Sequence, residues 1–473
     1  EVVHSEKSTG TTRPWVDIAQ LMRGINEDLR NISAPQVAER KVWGPSPAEL
    51  IPNPNSAARS LGALVADEEL AAHFDPAARG VSRGEIGAFF SGRELELRRI
   101  ATWLAPAVAD TQPGRMMVIT GSPGCGKSAL LSRVAMLSDP ALRARAGDTA
   151  GLAADTLPPL NAFDAVLWCH NKSSRQIIAE IGQRLGRDVN TPAALLEAAR
   201  GRQLSLAVDA LDEALEGEAT VLARDVFSAL ARMPGMRVLV ATRRRPVRTE
   251  LDGGDLLAAL AADPSQVLVL DQAPNRGNDM RAYVAARLAA GTGAAASGYR
   301  ADADLTQRTA ERVEEASGAS FLVAAITART LANADAPADP QHLQLPSAVG
   351  DAMAAYLDRL PHPQTVRDML RPLAWAMGAG LPWGELWPRL ATALAALPEQ
   401  PGPSTTRAVA YGDDDVRLAL GAAGDLIVES LENGDPVYRL FHEALAEHLR
   451  GESGFKGTDA VVGISGLTYE TAA

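Results

Sequence analysis

Short apolar runs alternate with helical stretches through the middle of the chain. Five of these runs are rich in Leu or β-branched residues and almost uninterrupted, which is typical of strands buried on both faces. Because helical periodicity lies between them, the pattern predicts βαβ units: an α/β fold with a parallel five-stranded sheet flanked by helices. The strand candidates are residues 115–120, 165–169, 203–209, 236–242 and 266–270.

The pattern changes on either side of this region. Pro-rich loop sequence and short helical stretches, one at 16–29, precede it. Helical periodicity dominates after it and ends in a hairpin, whose strands at 426–431 and 437–441 flank an Asn-Gly turn. Helices followed by a hairpin predict a winged helix. The expected divisions are an N-terminal linker region (1–87), the α/β domain (88–272), a small helical domain (273–345), a winged-helix domain (346–450) and a C-terminal tail (451–473).

Composition restricts the classes of function. The 46 Lys and Arg residues against 58 Asp and Glu residues give a net charge of −12, which disfavours a protein that coats nucleic acid or an anionic membrane. The two cysteines, Cys125 and Cys169, exclude a Cys-built zinc site and indicate a reducing compartment. No apolar run approaches the ~18–20 residues that span a bilayer. We therefore expect a cytoplasmic protein without membrane contact, and a chain starting at Glu1 is expected to be part of a longer one.

Residues 121–128, Gly-Ser-Pro-Gly-Cys-Gly-Lys-Ser, match the phosphate-loop pattern G-x-x-x-x-G-K-[ST] in full. The motif follows the first strand candidate directly and opens a helical stretch at 128–137. Its glycines let backbone N–H groups point at phosphate oxygens, and the helix N-terminus adds partial positive charge. We expect Lys127 to reach the β- and γ-phosphates and Ser128 to bind Mg²⁺. The predicted nucleotide ligands here are Gly121, Ser122, Pro123, Gly124, Cys125, Gly126, Lys127, Ser128 and Ala129.

Two further strand candidates end in residues that suit phosphoryl-transfer chemistry. The third ends at Asp209, a candidate for the second Mg²⁺ contact beside Ser128. Asp212 and Glu213 follow as candidates to orient or deprotonate an attacking water, and the sequence does not choose between them. At the tip of the fourth strand, Thr242 or Arg243 is the candidate to read the γ-phosphate, and Arg243 is the preferred one. Together these residues predict a site for a nucleoside triphosphate with Mg²⁺ and slow hydrolysis.

These segments resemble the STAND class of signal-transducing P-loop NTPases, closest to its NACHT branch. The stretch Asp-Ala-Leu-Asp-Glu at 209–213 and the Thr-Arg strand tip at 242–243 carry the resemblance. Phe-Ser-Gly-Arg-Glu at 90–94 resembles the segment that lies against the nucleotide base in this class, which implies a nucleotide contact for Arg93. Residues 438–449 resemble the winged-helix motif whose histidine, here His442, touches the β-phosphate of ADP in the resting state.

The resemblance extends over about residues 89–450 and implies a nucleotide-dependent switch. ADP held between the P-loop domain and the winged helix keeps such a protein closed and monomeric, and exchange for ATP opens it and allows homo-oligomers to assemble. The implied process is bacterial defence or stress signalling, with effector and sensor regions outside this chain. The Gly-x-Pro that contacts nucleotide in many relatives is missing at 319–323, so no residue is carried over from there.

Two alternatives stay open. The first is a DNA-binding ATPase with a winged helix, such as an origin loader or a transcription regulator, although the net charge and the acidic residues near the hairpin make nucleic acid an unexpected partner. The second is a scaffold that keeps ADP without hydrolysing nucleotide. The sequence does not distinguish ATP from GTP. Among the other histidines, His73 is interpreted as a surface residue and His170 as structural.

Overall fold

The structure, a computed structural model, describes residues 68–81, 88–105, 115–145, 152–245, 254–376, 380–396, 409–432 and 435–450. The helical stretch predicted at 16–29 and the predicted tail at 451–473 lie outside these residues.

A parallel five-stranded sheet forms the core of the first half of the described chain. Its strand order is β2-β3-β4-β1-β5, so the connection from β1 to β2 passes β4 and β3, and the connection from β4 to β5 passes β1. Every predicted strand is confirmed to within one residue at each end, because an apolar run bounded by polar turns is a local feature. The strands are β1 (Arg115–Thr120), β2 (Ala165–Trp168), β3 (Leu204–Asp209), β4 (Met236–Ala241) and β5 (Val267–Val269).

Helices cover both faces of this sheet. Along β1, Met117 and Ile119 contribute to the core on one face, and Val118 contributes to the core on the other, as the two-residue period of a strand requires. The residues Leu222–Phe227 form a π-helix. The helices are α1 (Glu68–Arg79), α2 (Glu94–Leu104), α3 (Lys127–Ser138), α4 (Pro140–Arg145), α5 (Ser174–Arg184), α6 (Pro192–Ala199), α7 (Glu218–Val221), α8 (Ser228–Ala231) and α9 (Leu256–Leu260).

Helix α1 lies within the stretch 1–87 that the sequence assigned to a linker region. Phe74 and Ala78 on this helix are buried in the same core as Leu130 and Leu131 of α3. After the turn at Gly80, the carbonyl of Arg79 accepts the N–H groups of Phe89 and Phe90. The helix is therefore packed into the α/β core, and its neighbours are the helix that follows the phosphate loop and the segment that leads into α2.

Four helices follow the sheet and share a core of their own. Val284 and Leu288 of the first helix pack with Tyr299 of the second and Val313 of the third. The fourth helix contributes to two cores, since Ala324 and Ala328 face this cluster and Leu322, Val323 and Ile326 belong to the core of the following segment. The helices are α10 (Arg276–Ala290), α11 (Ala294–Ala301), α12 (Ala303–Ser317) and α13 (Phe321–Ala332).

The last part of the described chain combines helices with a three-stranded antiparallel sheet in the order β6-β8-β7. The predicted hairpin is confirmed with small shifts at its strand ends. Strand β6 was not predicted, because two residues carry no periodicity. The five domain divisions remain predictions. The elements are α14 (Val349–Leu357), α15 (Pro363–Ala374), β6 (Leu381–Pro382), α16 (Leu386–Ala395), α17 (Asp413–Ala423), β7 (Ile427–Glu432), β8 (Asp435–Leu440) and α18 (Glu443–Leu449). Among all the helices described, none is long and apolar enough to cross a bilayer.

Candidate nucleotide-binding site

A pocket lies at the carboxyl edge of the parallel sheet, where four parts of the chain meet. Its walls come from α1, from the phosphate loop with the ends of β2, β3 and β4, from α10 and α13, and from the segment around β7, β8 and α18. Of the predicted site residues, Gly121 and Ser122 do not line it. Those that do are Arg93, Pro123, Gly124, Cys125, Gly126, Lys127, Ser128, Ala129, Asp209, Asp212, Glu213, Arg243 and His442.

Two glycines allow the phosphate loop to fold as it does. Gly124 and Gly126 have φ values of 76° and 96°, in the left-handed region that favours glycine. A Cβ at Gly124 would lie 2.7 Å from Cβ of Leu322 at the start of α13. The backbone N–H of Leu322 donates to the carbonyl of Gly124 at 3.2 Å. Helix α13 therefore contacts the phosphate loop, although residues 319–323 lack the Gly-x-Pro motif and no other motif indicated this contact.

Gly121 and Ser122 stabilise the loop through contacts with Lys127 and Asp271. Lys127 Nζ donates to their carbonyl oxygens at 2.9 and 3.0 Å. The backbone N–H and hydroxyl of Ser122 both donate to Oδ2 of Asp271, just after β5, at 2.8 and 3.0 Å. Asp271 was not a predicted site residue. Its position at the carboxyl end of a parallel strand, where sites of this fold class gather, was the available signal.

Ser128 and Asp209 lie together as predicted. The Ser128 hydroxyl donates to Oδ1 of Asp209 at 3.1 Å, and Asp209 is 1% exposed. Adjacent oxygen ligands in an octahedral Mg²⁺ shell lie ~3 Å apart, so this spacing fits a shared Mg²⁺ ion. No group of three or more His, Cys, Asp or Glu residues suited to a metal occurs among the described residues. Mg²⁺ needs no such group, because phosphates and waters supply its other ligands.

The other oxygen of Asp209 is bound by a residue the sequence placed on the surface. His73 of α1 has Nε2 2.7 Å from Oδ2 of Asp209, and its ring stacks on Trp168 with centroids 4.4 Å apart. Trp168 also stacks with His170, and the guanidinium of Arg439 from β8 lies 4.5 Å from the centre of the Trp168 ring. The surface assignment of His73 is therefore wrong. The sequence offered no signal for it, since the contact spans 136 residues.

Asp212, Arg243 and Glu447 of α18 form a cluster of charged side chains. Oδ1 of Asp212 accepts the backbone N–H of Arg243 at 2.9 Å, and Oδ2 lies 3.2 Å from Arg243 Nε. The other end of the guanidinium donates to Oε1 of Glu447 at 2.6 Å. Burial raises the pKa of Glu447. For Arg243, burial acts to lower the pKa, but the carboxylates of Glu447 and Asp212 outweigh it, so the pKa of Arg243 is raised. The direct contact of 2.6 Å between Arg243 and Glu447 favours the charged form of both side chains.

Glu213 has a different environment from Asp212. Its Oε2 lies 2.9 Å from Nδ1 of His170, the histidine that the sequence placed as structural. Burial raises the pKa of the Glu213 carboxyl, and the neighbouring acidic groups Asp212 and Glu443 add to the shift. A carboxyl whose pKa is shifted toward neutrality is suited to exchange a proton with water.

His442 caps helix α18. Its Nδ1 accepts the backbone N–H of Ala444 at 3.0 Å. Burial lowers the pKa of His442 to about 3, and the nearby cations Arg243 and Lys127 add to this. The ring is therefore neutral at physiological pH, whereas a phosphate neighbour alone favours the charged form. Because Nδ1 is an acceptor, the proton lies on Nε2, and the ring keeps one donor for a ligand in the pocket it lines.

Arg93 connects three walls of the pocket. Its guanidinium donates to the carbonyl oxygens of Leu270 and Cys125 at 3.3 and 2.9 Å and lies 5.2 Å from the centre of the Phe321 ring. Arg93 itself has a left-handed backbone with φ of 60°, and its N–H donates to Asp279 at 3.0 Å. Arg93 is 4% exposed, so its buried contacts stabilise the pocket wall that it lines.

The strand order, the loop after β1 and the helix that begins at Lys127 together define a P-loop NTPase fold. No protein-family profile and no curated protein matches the sequence. Among solved structures, the chain is similar to the ORC1 protein of Aeropyrum pernix in complex with DNA, at 15% identity and a TM-score of 0.31, over 76% of this chain and 92% of that chain. A similarity this low transfers neither function nor partner.

Proposed function

We propose that this chain is a nucleotide-dependent switch of the STAND type, similar to the NACHT branch. In this proposal ADP occupies the pocket in a closed, monomeric state. Exchange for ATP releases α18 and its segment, and the exposed surface assembles into a homo-oligomer. Slow hydrolysis returns the protein to the closed state, and the process served is signalling in bacterial defence or stress.

The observation that carries the proposal is the ion pair between Arg243 and Glu447. The residue at the tip of β4, where a γ-phosphate would be read, is bound to the helix that carries His442. A γ-phosphate would compete with Glu447 for the same guanidinium, whereas ADP would not. A ligand shifts a two-state protein only by its difference in affinity for the two states, and this contact supports such a difference.

The pocket residues support a division of roles. Lys127 and the loop N–H groups bind phosphate, Ser128 and Asp209 hold Mg²⁺, and His442 donates from Nε2 to the terminal phosphate of ADP. Mg²⁺, when bound, neutralises charge on the β- and γ-phosphates. Glu213 is the proposed base, since Asp212 already accepts the backbone N–H of Arg243.

The test is the identity of the nucleotide released when purified protein is denatured, followed by measurement of particle size after loading with ADP, ATP or GTP. We expect co-purified ADP, a monomer with ADP and a larger assembly with a triphosphate. A protein that neither retains nor binds nucleotide would refute the proposal. Steady-state phosphate release separates the switch from a scaffold that only keeps ADP.

The helices and hairpin of the last segment also favour a second candidate, a DNA-binding ATPase. In helix-turn-helix proteins the N-terminal residues of the recognition helix contact base edges. The helix before the hairpin here is α17, and its first turn is Asp413-Asp414-Asp415, with the Asp414 side chain 98% exposed. Three carboxylates at that position repel phosphate. A gel-shift assay at low salt decides: retarded duplex DNA would favour this candidate over the switch.

A further inference from the structure

Helix α1 contributes a side chain to the metal edge of the pocket, although it lies before the segment that resembles the STAND class. Three contacts hold the helix there. Phe74 and Ala78 are buried against α3, the carbonyl of Arg79 binds the chain before α2, and α1 lies beside β7. His73 is thus presented to the sheet by a well-packed helix.

The contact that His73 makes is directed at one atom. Its Nε2 lies 2.7 Å from Oδ2 of Asp209, while Oδ1 of the same carboxylate accepts the Ser128 hydroxyl. Two partners on opposite oxygens fix the rotation of a carboxylate. Mg²⁺ demands near-ideal octahedral geometry, so the direction in which Oδ1 points matters for its binding.

The imidazole is itself held in place. Its ring stacks on Trp168 with an interplanar angle of 15°, and Trp168 is directly opposite Asp209 in the pairing of β2 with β3. The guanidinium of Arg439 from β8 lies over the same indole. The imidazole therefore has little freedom to leave Asp209 while these rings stay stacked.

We propose that His73 is a positioning residue: it orients Asp209 for Mg²⁺ and makes the upstream helix part of the nucleotide site. This inference rests on the proposed Mg²⁺–nucleotide site. Partners of a ligating carboxylate commonly change metal affinity by 10–100-fold when they are removed. The class of ligand is a divalent cation bound with a nucleoside triphosphate.

The experiment uses the full chain with four variants and a fluorescent ATP analogue. His73→Phe keeps an aromatic ring against Trp168 and removes the hydrogen bond. His73→Gln places an amide nitrogen where Nε2 lies and keeps a donor, whereas the shorter amide of His73→Asn does not reach. Asp75→Asn alters a partly exposed ion pair on the same helix and serves as the control.

The measurement is the dissociation constant of the analogue in EDTA and over a Mg²⁺ titration. We expect the Mg²⁺ midpoint to rise about tenfold in His73→Phe and His73→Asn and to stay near wild type in His73→Gln and Asp75→Asn, with the EDTA value unchanged throughout. A wild-type midpoint in His73→Phe would overturn the inference, as would equal losses with and without Mg²⁺. A wild type that binds no analogue would instead refute the proposed function.

Discussion

The two sides of the turn after β3 are built in different ways. On the side of the proposed metal site, Asp209 is bound by Ser128 and His73, both from elements packed into the α/β core. On the other side, Asp212 binds Arg243, and Arg243 binds Glu447, which lies 204 residues further along the chain on α18. Neither partner of Asp209 lies on α18. The other side is complete only while α18 is in place.

This difference teaches where a switch would act. Contacts inside one core are kept by the burial of many apolar groups and resist small perturbations. The contact between Arg243 and Glu447 is a partly buried pair between separate segments, and its partners respond to any competing charge. Variants on the two sides should therefore have separable effects, on ligand binding at one and on exchange at the other.

The largest effect is expected from Lys127→Ala, because in the proposed function Lys127 binds the phosphates that lie between the two sides. Each lost charge-assisted hydrogen bond costs roughly 1.5–3 kcal/mol, so affinity for ADP and ATP should fall about 100-fold or more. Titration calorimetry checks this. Lys172→Ala is the control, since Lys172 pairs with Glu180 and does not line the pocket. An unchanged dissociation constant for Lys127→Ala would show that the loop is not the binding site.

The next effect separates the two carboxylates after Asp209. Glu213→Gln should slow hydrolysis about 10²-fold with binding spared, because it removes the proposed base. Asp212→Asn should slow hydrolysis less, since its main partner is Arg243. The raised pKa of Glu213 predicts wild-type turnover that increases with pH above neutrality, as the base loses its proton. Single-turnover phosphate release measures both variants and the pH dependence of the wild type. A greater loss of rate in Asp212→Asn than in Glu213→Gln would assign the base to Asp212 instead.

A smaller effect is expected from Glu447→Gln, which keeps the size of the side chain and removes its charge. The ADP off-rate should rise about tenfold, because a hydrogen bond between charged groups contributes about 1.5 kcal/mol or more. Glu385→Gln is the matched control: Glu385 pairs with Arg389 on a strongly exposed surface, where such pairs contribute little. Stopped-flow displacement of labelled ADP gives both rates. Equal off-rates for the two variants would mean that the ion pair does not hold the closed state.

The last effect, and the smallest near neutral pH, is a pH dependence of stability that arises from His442. Its folded pKa of about 3 lies below the ordinary histidine value, so the unfolded chain binds the proton more readily. Stability is therefore fully present above about pH 6.5 and decreases as the pH falls toward 3, by at most ~1.4 kcal/mol per pH unit. Urea unfolding at several pH values measures the slope. His442→Asn keeps a helix-capping oxygen without a titrating ring, and it should flatten the curve.

Local sequence was sufficient for the sheet and the phosphate loop. Buried strands, the glycines at 124 and 126 and the helix that begins at Lys127 each depend on residues within a few positions of one another. Their prediction succeeded because periodicity and turn chemistry are local properties. The placement of Ser128 beside Asp209 also followed, since carboxyl ends of parallel strands meet at one edge.

By itself, then, the sequence determined the α/β fold, the phosphate loop and the residues at the ends of β3 and β4. Only the tertiary structure decided which partners the predicted site residues have: His73 on Asp209, Glu447 on Arg243 and His170 on Glu213. It also separated Asp212 from Glu213, which the sequence left equal. The physical reason is that these contacts join segments far apart in the chain, and their partners are selected by packing, which no local pattern encodes.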